Sequence, residues 1–447
     1  MKVMKFGGTS VGAPDRMQNV ADLITRDNEK KFVVLSAVSG TTNTLVRIGE
    51  FLYKKDKIEA AKVIEELHGQ YIEFIGNLFQ TPEGKQSGKS VIDSHFGIIK
   101  GMVEIGFTDL EERLLLSQGE MISTQLFHHF LKEKGIKSEI MMALDFMSID
   151  DHNEPEQENI SIKLKKLIEE KEDAPIYITQ GYICRNPEGE VDNLKRGGSD
   201  YTASLVGAAL EVNEIQIWTD IDGMHNNDPR VVDNTYPIPE MSFDEAAELA
   251  YFGAKILHPF TIRPAQDKNI PVKLKNTMDP DAHGTVISNK RSGDDIKAVA
   301  AKDNITAIRV KSSRMLLAYG FMRQIFEIFE KYRTPIDMIT TSEVAVSLTI
   351  DDDTFLEEII KELEVFGNTD VDKDLTIICI AGNFAADKKG LAQKVLKALK
   401  DIPLRMVSYG GSRYNISLLV HSSSKKKALI ALNEDIFIKQ HPEFGDD

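Results

Sequence analysis

Apolar runs of four to six residues recur over the first 290 positions, at 32–35, 175–180, 215–219 and 271–274, with amphipathic stretches of helical spacing between them. Continuous apolar runs belong to strands buried on both faces. The alternation therefore predicts an α/β domain, an open, mostly parallel sheet covered by helices. Met17, Val20, Ala21 and Ile24 mark one such helix over residues 14–25. Long amphipathic helices interrupt the alternation over residues 54–102, joined by a polar segment at 81–90 that reads as a solvated loop. Ser117-Gln-Gly-Glu120 and Ser242-Phe-Asp-Glu245 each read as a capping box that opens a helix, and Gly135 closes the first of these.

A polar, turn-rich stretch at 289–295 marks a boundary near residue 290. Beyond it, Ala345-Val-Ser-Leu-Thr-Ile350 superposes on Asn415-Ile-Ser-Leu-Leu-Val420 at an offset of 70 residues. Each copy reads as strand, turn, helix, strand, turn, strand and helix, so two small ferredoxin-like βαββαβ modules are expected.

With 447 residues, 42% hydrophobic and 28% charged, the chain can fill two or three cores. Its net charge of −16 argues against nucleic acid or an anionic membrane as partner, since both need a basic surface. The start MKVMKFGG carries no leader-like apolar run, and no segment approaches the roughly 18 apolar residues of a membrane span, so a cytoplasmic location is expected. Cys184 and Cys379 are far apart and outside any metal-ligand spacing, which predicts buried fillers, no disulfide framework and no protein-held metal.

Lys5-Phe6-Gly7-Gly8-Thr9-Ser10-Val11-Gly12 follows a short apolar strand. It places a fixed cation beside a turn whose backbone N–H groups can approach an anion, with a helix N-terminus behind it. Gly84-Lys-Gln-Ser-Gly88-Lys89-Ser90 resembles a P-loop only in part, because Glu83 stands where the first glycine belongs and no strand precedes it. Lys195-Arg196-Gly197-Gly198-Ser199-Asp200 precedes an alanine-rich helical run, with Ser199 placed to cap it. Arg196 there offers a planar fork suited to a carboxylate, or is simply an exposed arginine beside a capped helix. Trp218-Thr219-Asp220-Ile221-Asp222-Gly223 ends an apolar strand, the position where open α/β sheets bind ligands, and leads to Asp228-Pro229-Arg230. Phe252-Gly253-Ala254-Lys255-Ile256-Leu257-His258-Pro259 supplies a second lysine.

Taken in order, KFGGTSVG, SAVSGTTN, LSQGEMIST, RGGSDYTA, WTDIDG with DPR, FGAKILHP and TTSEVAVSLTID resemble aspartate kinase of the amino-acid-kinase family, with paired C-terminal ACT modules, over nearly the whole chain. The resemblance implies that ATP, with Mg²⁺, phosphorylates the β-carboxylate of L-aspartate, opening the route to lysine, threonine and methionine. Phosphoryl transfer to a carboxylate asks for charge neutralisation and alignment rather than a strong base. By resemblance, Lys5 and Lys255 flank the transferring group and Asp200 holds them. Thr42, Glu120, Arg196, Gly197, Gly198 and Ser199 receive aspartate. Phe6, Gly7, Gly8, Thr219, Asp220, His225, Arg230 and Ile256 join the two lysines around the nucleotide. His225 falls in a region where the family often has a tyrosine.

The likeness further implies a catalytic domain at 1–290 and a regulatory region at 298–447. Its first ACT module would cover about 314–374, inserted in a second made of 298–313 and 375–447. Met315, Gly320, Phe321, Met322, Asp337, Thr341, Ser342 and Glu343 resemble the effector pocket of lysine-sensitive members, which places lysine ahead of threonine as effector. Leu317 and Ala318 stand where some of those members are more polar. A homodimer through the ACT modules and a chain without a fused dehydrogenase are also expected. Two other readings stay open at this point: a different acceptor, such as glutamate, acetylglutamate or a nucleotide, and a non-catalytic amino-acid sensor.

Overall fold

The computed structural model describes residues 1–171, 173–195, 197–252, 258–290, 295–315, 319–385 and 388–439. The chain divides into two compact units, one of residues 1–224 and 257–291, the other of residues 225–256 and 292–447. The stretch 225–256, read from the sequence as part of 1–290, thus groups with the second unit.

In the first unit the strands run in the order Ser138–Ile140, Ile176–Gln180, Lys31–Leu35, Lys2–Phe6, Ile215–Thr219, Val272–Asn276 and Thr285–Ser288. The first six pair in parallel and only the last is antiparallel. This is the expected α/β architecture. Every residue of Lys31–Leu35 and Ile176–Gln180 is buried, which is why these strands read as unbroken apolar runs rather than alternating ones. Helices Pro14–Ile24, Thr41–Tyr53, Lys57–Leu78, Pro82–Gly101 and Asp109–Glu133 pack a core that includes Met17, Ile48, Leu67, Phe96 and Phe127. Among the described residues no helix is long and apolar enough to cross a membrane. Cys184 and Cys379 are buried and unpaired.

Two local readings of this unit need correction. Residues 81–90 are not a loop. Thr81 caps the helix Pro82–Gly101 by accepting from the Gly84 N–H, and Gly84 and Gly88 are buried against the Phe79 ring. Ser117 and Glu120 do not open a helix either. Thr108 and Glu111 form the true capping box of Asp109–Glu133, and Ser117, Gln118, Gly119 and Glu120 lie buried in its middle. A one-turn polar signature cannot distinguish a helix start from polar residues collected on one helical face.

The second unit holds an antiparallel sheet in the order Ile339–Thr341, Ala345–Ile350, Ile296–Lys311, Asn368–Gly382, Asn415–His421 and Met406–Tyr409. Helices Phe321–Lys331, Leu356–Leu363, Leu391–Ala398 and Lys425–Leu432 accompany it. The two repeat strands, Ala345–Ile350 and Asn415–His421, occupy matching places on either side of the long central pair. The strand Ile296–Lys311 serves both halves. Its residues 298–302 pair with 377–381, whereas 306–311 pair with 345–350, and 307–311 also with 368–372. Residues 298–311 therefore do not join the 375–447 half alone. The strand keeps Asn368–Gly382 as its neighbour on both sides of a bulge past Lys302 and gains Ala345–Ile350 only beyond it; at the bulge Asn304 (φ 61°) and Asp374 (φ 57°) take left-handed conformations. Asn and Asp are the side chains that tolerate that region best after glycine. As expected, Ser242 and Glu245 form a reciprocal capping box on helix Phe243–Tyr251.

Candidate active site and effector region

The central strand Lys2–Phe6 has the sheet growing in both directions from it, and its carboxyl end opens on a cavity of about 500 Å³ within the first unit. Carboxyl ends at such a reversal are where open α/β sheets hold ligands. Lys5, Gly8 and Thr9 form one wall, the segment from Ser36 to Gly40 with Thr42 another, and Tyr182, Lys195 and the start of helix Gly198–Leu210 a third. Glu120 closes the floor.

Lys5 and Asp200 meet across this cavity. Lys5 Nζ is 2.6 Å from Asp200 Oδ1, and the two side chains are 12% and 13% exposed. The contact is an ion pair without the angular geometry of a directed hydrogen bond, since Oδ1 has no hydrogen-bond partner. Asp200 lies in the first turn of helix Gly198–Leu210, where a carboxylate complements the helix dipole. Gly197 precedes that helix with φ 68°, a left-handed turn that a larger side chain would strain. Ser199 does not cap the helix as expected but lies inside it, and its Oγ accepts from Ser36 Oγ at 3.0 Å.

Glu120 is 5% exposed, and burial pushes its carboxyl up to about 7. Oε1 accepts from the Ala37 N–H at 3.2 Å, and Oε2 is buried with no hydrogen-bond partner. A carboxylate this poorly satisfied awaits a donor. The close approach of its helix to residues 36–40 depends on Gly119, where a Cβ would lie 2.8 Å from Ala37 Cβ. Thr41, next to Thr42, is tied to the buried Tyr71 hydroxyl at 2.8 Å.

At the neighbouring strand ends, Gly7 N donates to the Trp218 carbonyl at 3.2 Å, and Phe6 pairs in register with Trp218. Phe6, Gly7, Gly8, Thr219 and Asp220 therefore cluster at adjacent strand ends, with Thr219 Oγ1 donating to Asp220 at 3.0 Å. His225 and Arg230 belong to the second unit. There His225 Nδ1 lies 2.9 Å from Thr235 Oγ1, and Arg230 forms a two-pronged pair with Asp228 at 2.9 and 2.8 Å. Arg196, Lys255 and Ile256 lie outside the described residues, as do Leu317 and Ala318.

Tyr182, Lys195, Ser36 and Ala37 line the cavity but were missed as candidates. Tyr182 directly follows Gly181 at the carboxyl end of strand Ile176–Gln180, and that position was the available signal. It adopts φ 70°, its N–H donates to Thr202 Oγ1, and its ring packs on Gly198.

In the second unit, Met315 and Met322 pack against the core formed by Ile308, Ile325 and Leu348, and Phe321 is part of that core. Gly320 (φ 80°) caps helix Phe321–Lys331. Thr341 ends an edge strand, the Ser342 N–H donates to the Ala345 carbonyl, and Glu343 is exposed. Asp337 is held differently, with its side chain 1% exposed and paired to Lys302.

The amino acid kinase family pattern matches residues 1–276, and an ACT domain pattern matches residues 378–436. "Aspartokinase 3, chloroplastic" of Arabidopsis thaliana is 36% identical over 97% of this chain and 81% of its own length. "Lysine-sensitive aspartokinase 3" of Escherichia coli is 32% identical over 97% of this chain and 99% of its own. The crystal structure of E. coli aspartokinase III in complex with aspartate and ADP superposes with a TM-score of 0.83 at 32% identity, covering 98% of this chain and all of that one. With that likeness extending over both units, the chain belongs to the aspartokinase family, the aspartate kinases among the amino acid kinases, and carries an ACT regulatory region.

Proposed function

We propose that the cavity beside Lys5 is where the β-carboxylate of L-aspartate attacks the γ-phosphoryl group of ATP, giving 4-phospho-L-aspartate and ADP. The observation that carries this reading is the Lys5–Asp200 ion pair at 2.6 Å beside the unsatisfied, buried Oε2 of Glu120. One end of the cavity thus offers a clamped cation for phosphate, and the other a carboxylate for an ammonium group. The substrate carboxylate is already an anion, so the protein's task is to neutralise and align charge.

In this scheme Asp200 aims the Lys5 ammonium at the transferring group, and Lys255 approaches it from the other side. Glu120 takes the α-ammonium of aspartate and Arg196 its α-carboxylate, with Thr42, Gly197, Gly198 and Ser199 as supporting donors. Phe6, Gly7, Gly8, Thr219, Asp220, His225, Arg230 and Ile256 hold the nucleotide. Magnesium would neutralise phosphate charge. In this reading the ion arrives on the phosphate oxygens of ATP.

Residues 1–290 form the catalytic part in this reading, and 298–447 the regulatory part with its two ACT modules. Lysine is the feedback effector, ahead of threonine, received around Asp337 with Met315, Gly320, Phe321, Met322, Thr341, Ser342 and Glu343. The E. coli relative is a lysine-sensitive aspartokinase, which supports that choice. The product feeds lysine, threonine and methionine synthesis. Exposed Ile339, Val407 and Tyr409 on the two edge strands of the C-terminal sheet support a homodimer through this region.

Trapping the acyl phosphate as hydroxamate from ATP, Mg²⁺ and L-aspartate tests the reaction, and repeating it with L-lysine and with L-threonine tests the effector. Product that falls with lysine alone is expected. Absence of product from aspartate would overturn the site assignment, and insensitivity to lysine would overturn the effector assignment only.

A further inference from the structure

Asp337, read above as a receptor for a cationic effector, already holds a cation of its own chain. Lys302 Nζ lies 2.7 Å from Asp337 Oδ1 and 2.8 Å from Asp351 Oδ2. The same ammonium stands 4.8 Å from the centre of the Tyr251 ring, and the Tyr251 hydroxyl donates to Asp337 Oδ1 at 3.2 Å. Asp337, Asp351 and Tyr251 therefore converge on one ammonium, and Tyr251 also bonds the Asp337 carboxylate. Lys302 comes from the central strand Ile296–Lys311, just before its bulge, and Tyr251 is the last residue of helix Phe243–Tyr251. Asp337 and Asp351 come from either side of strand Ala345–Ile350.

The two carboxylates differ in a way that matters for exchange. Asp351 is 37% exposed and water can solvate it, whereas Asp337 is 1% exposed and depends on a partner inside the protein. Its second oxygen, Oδ2, is buried with no hydrogen-bond partner. That oxygen is unpaired but buried, and an ammonium brought to it would stand only a carboxylate's width from the Lys302 ammonium, where two like charges repel. Lys302 has somewhere to go, because its second partner Asp351 lies nearer the solvent.

We propose that Lys302 is a built-in competitor for the effector site: its ammonium occupies Asp337 when no effector is bound, and yields it to the ammonium of the amino-acid effector by withdrawing toward Asp351. Tyr251 touches both the carboxylate and the lysine, so the exchange is felt at the end of helix Phe243–Tyr251, four residues before Lys255 in the chain. This rests on the reading of Asp337 as an effector residue. It also makes effector sensitivity a tuned quantity, because an internal ligand lowers apparent affinity by the fraction of time it occupies the site.

The test uses the full-length enzyme, with L-lysine titrated both into the hydroxamate assay and in a calorimeter. Lys302→Met should leave uninhibited turnover near wild type and lower the lysine midpoint by roughly tenfold or more. Lys302→Arg, which keeps the charge and so protects the fold, should raise the midpoint, because a two-pronged guanidinium is harder to displace than an ammonium. Unchanged midpoints in both variants, or loss of inhibition in Lys302→Met with its fold intact, would overturn the competitor and leave the effector reading standing. Should Lys302→Met not fold, the direction of the Lys302→Arg shift decides. Lysine without effect or heat on wild type and both variants would overturn the effector reading, and this proposal with it.

Discussion

Lys5 and Asp200, 195 positions apart in the chain, hold their charged atoms 2.6 Å apart at the carboxyl end of the central strand, each side chain largely shielded from water. In that setting the carboxylate sets where the ammonium points, so the two act as one unit. Lys5→Met and Asp200→Ala are each expected to lower turnover by about 10² to 10³, the scale of a lost transition-state donor. The double variant should be little worse than either single one. Hydroxamate assays on the three variants check this, and near-normal turnover of Asp200→Ala would show that Lys5 needs no such anchor.

Glu120 should impose a pH dependence of its own. Burial pushes its carboxyl up to about 7, so the free enzyme's kcat/KM for aspartate is expected to rise as pH climbs through that value. Glu120→Gln should flatten this limb and raise KM for aspartate.

The same group bears on stability, with the opposite sign. The folded state keeps the proton up to about pH 7, while the unfolded chain releases it near the ordinary value of 4.5. Stability therefore falls as pH rises from 4.5 to 7 and levels off above, by on the order of 3 kcal/mol. Thermal melts should show that slope in wild type, a weaker slope in Glu120→Gln, and a higher melting temperature for the variant at pH 8.

Gly119→Ala should damage the Glu120 end of the cavity without touching a charge. The added methyl would sit 2.8 Å from Ala37 Cβ and push apart the helix and the segment whose N–H steadies Glu120. A cost of about 1–3 kcal/mol in stability is expected, together with a raised KM for aspartate and a smaller effect on KM for ATP. Denaturant melts and steady-state kinetics would separate these effects.

Lys89→Ala is expected to be silent. Lys89 is an exposed residue within helix Pro82–Gly101, so the partial P-loop spelling around it has no phosphate-binding geometry. KM for ATP should stay at the wild-type value and stability should change by less than about 0.5 kcal/mol. A clear rise in KM for ATP would return this segment to the nucleotide site.

The order of strands and helices was legible in the sequence because it rests on chemistry between neighbours. Residues 215–219 read as a strand from their own apolar run, residues 14–25 as a helix from their spacing, and Ser242 as a cap from the glutamate three positions on. The glycines after Lys5 and before Asp200 marked both sides of the cavity for the same reason, since a turn that brings backbone donors to an anion needs residues without side chains. The spelling of Ser117 to Glu120 misled because it also fits the middle of a helix, and only packing against residues 36–40 decided that Glu120 is buried and poorly satisfied. Packing also turned residues 81–90 into helix and gave the strand Ile296–Lys311 to both halves of its sheet. Likewise, nothing near Asp337 in the chain names Lys302 as its partner 35 residues away. Local pattern sets which residues can form an element, but burial and charge partners depend on which faces meet, and that is settled only when the whole chain packs.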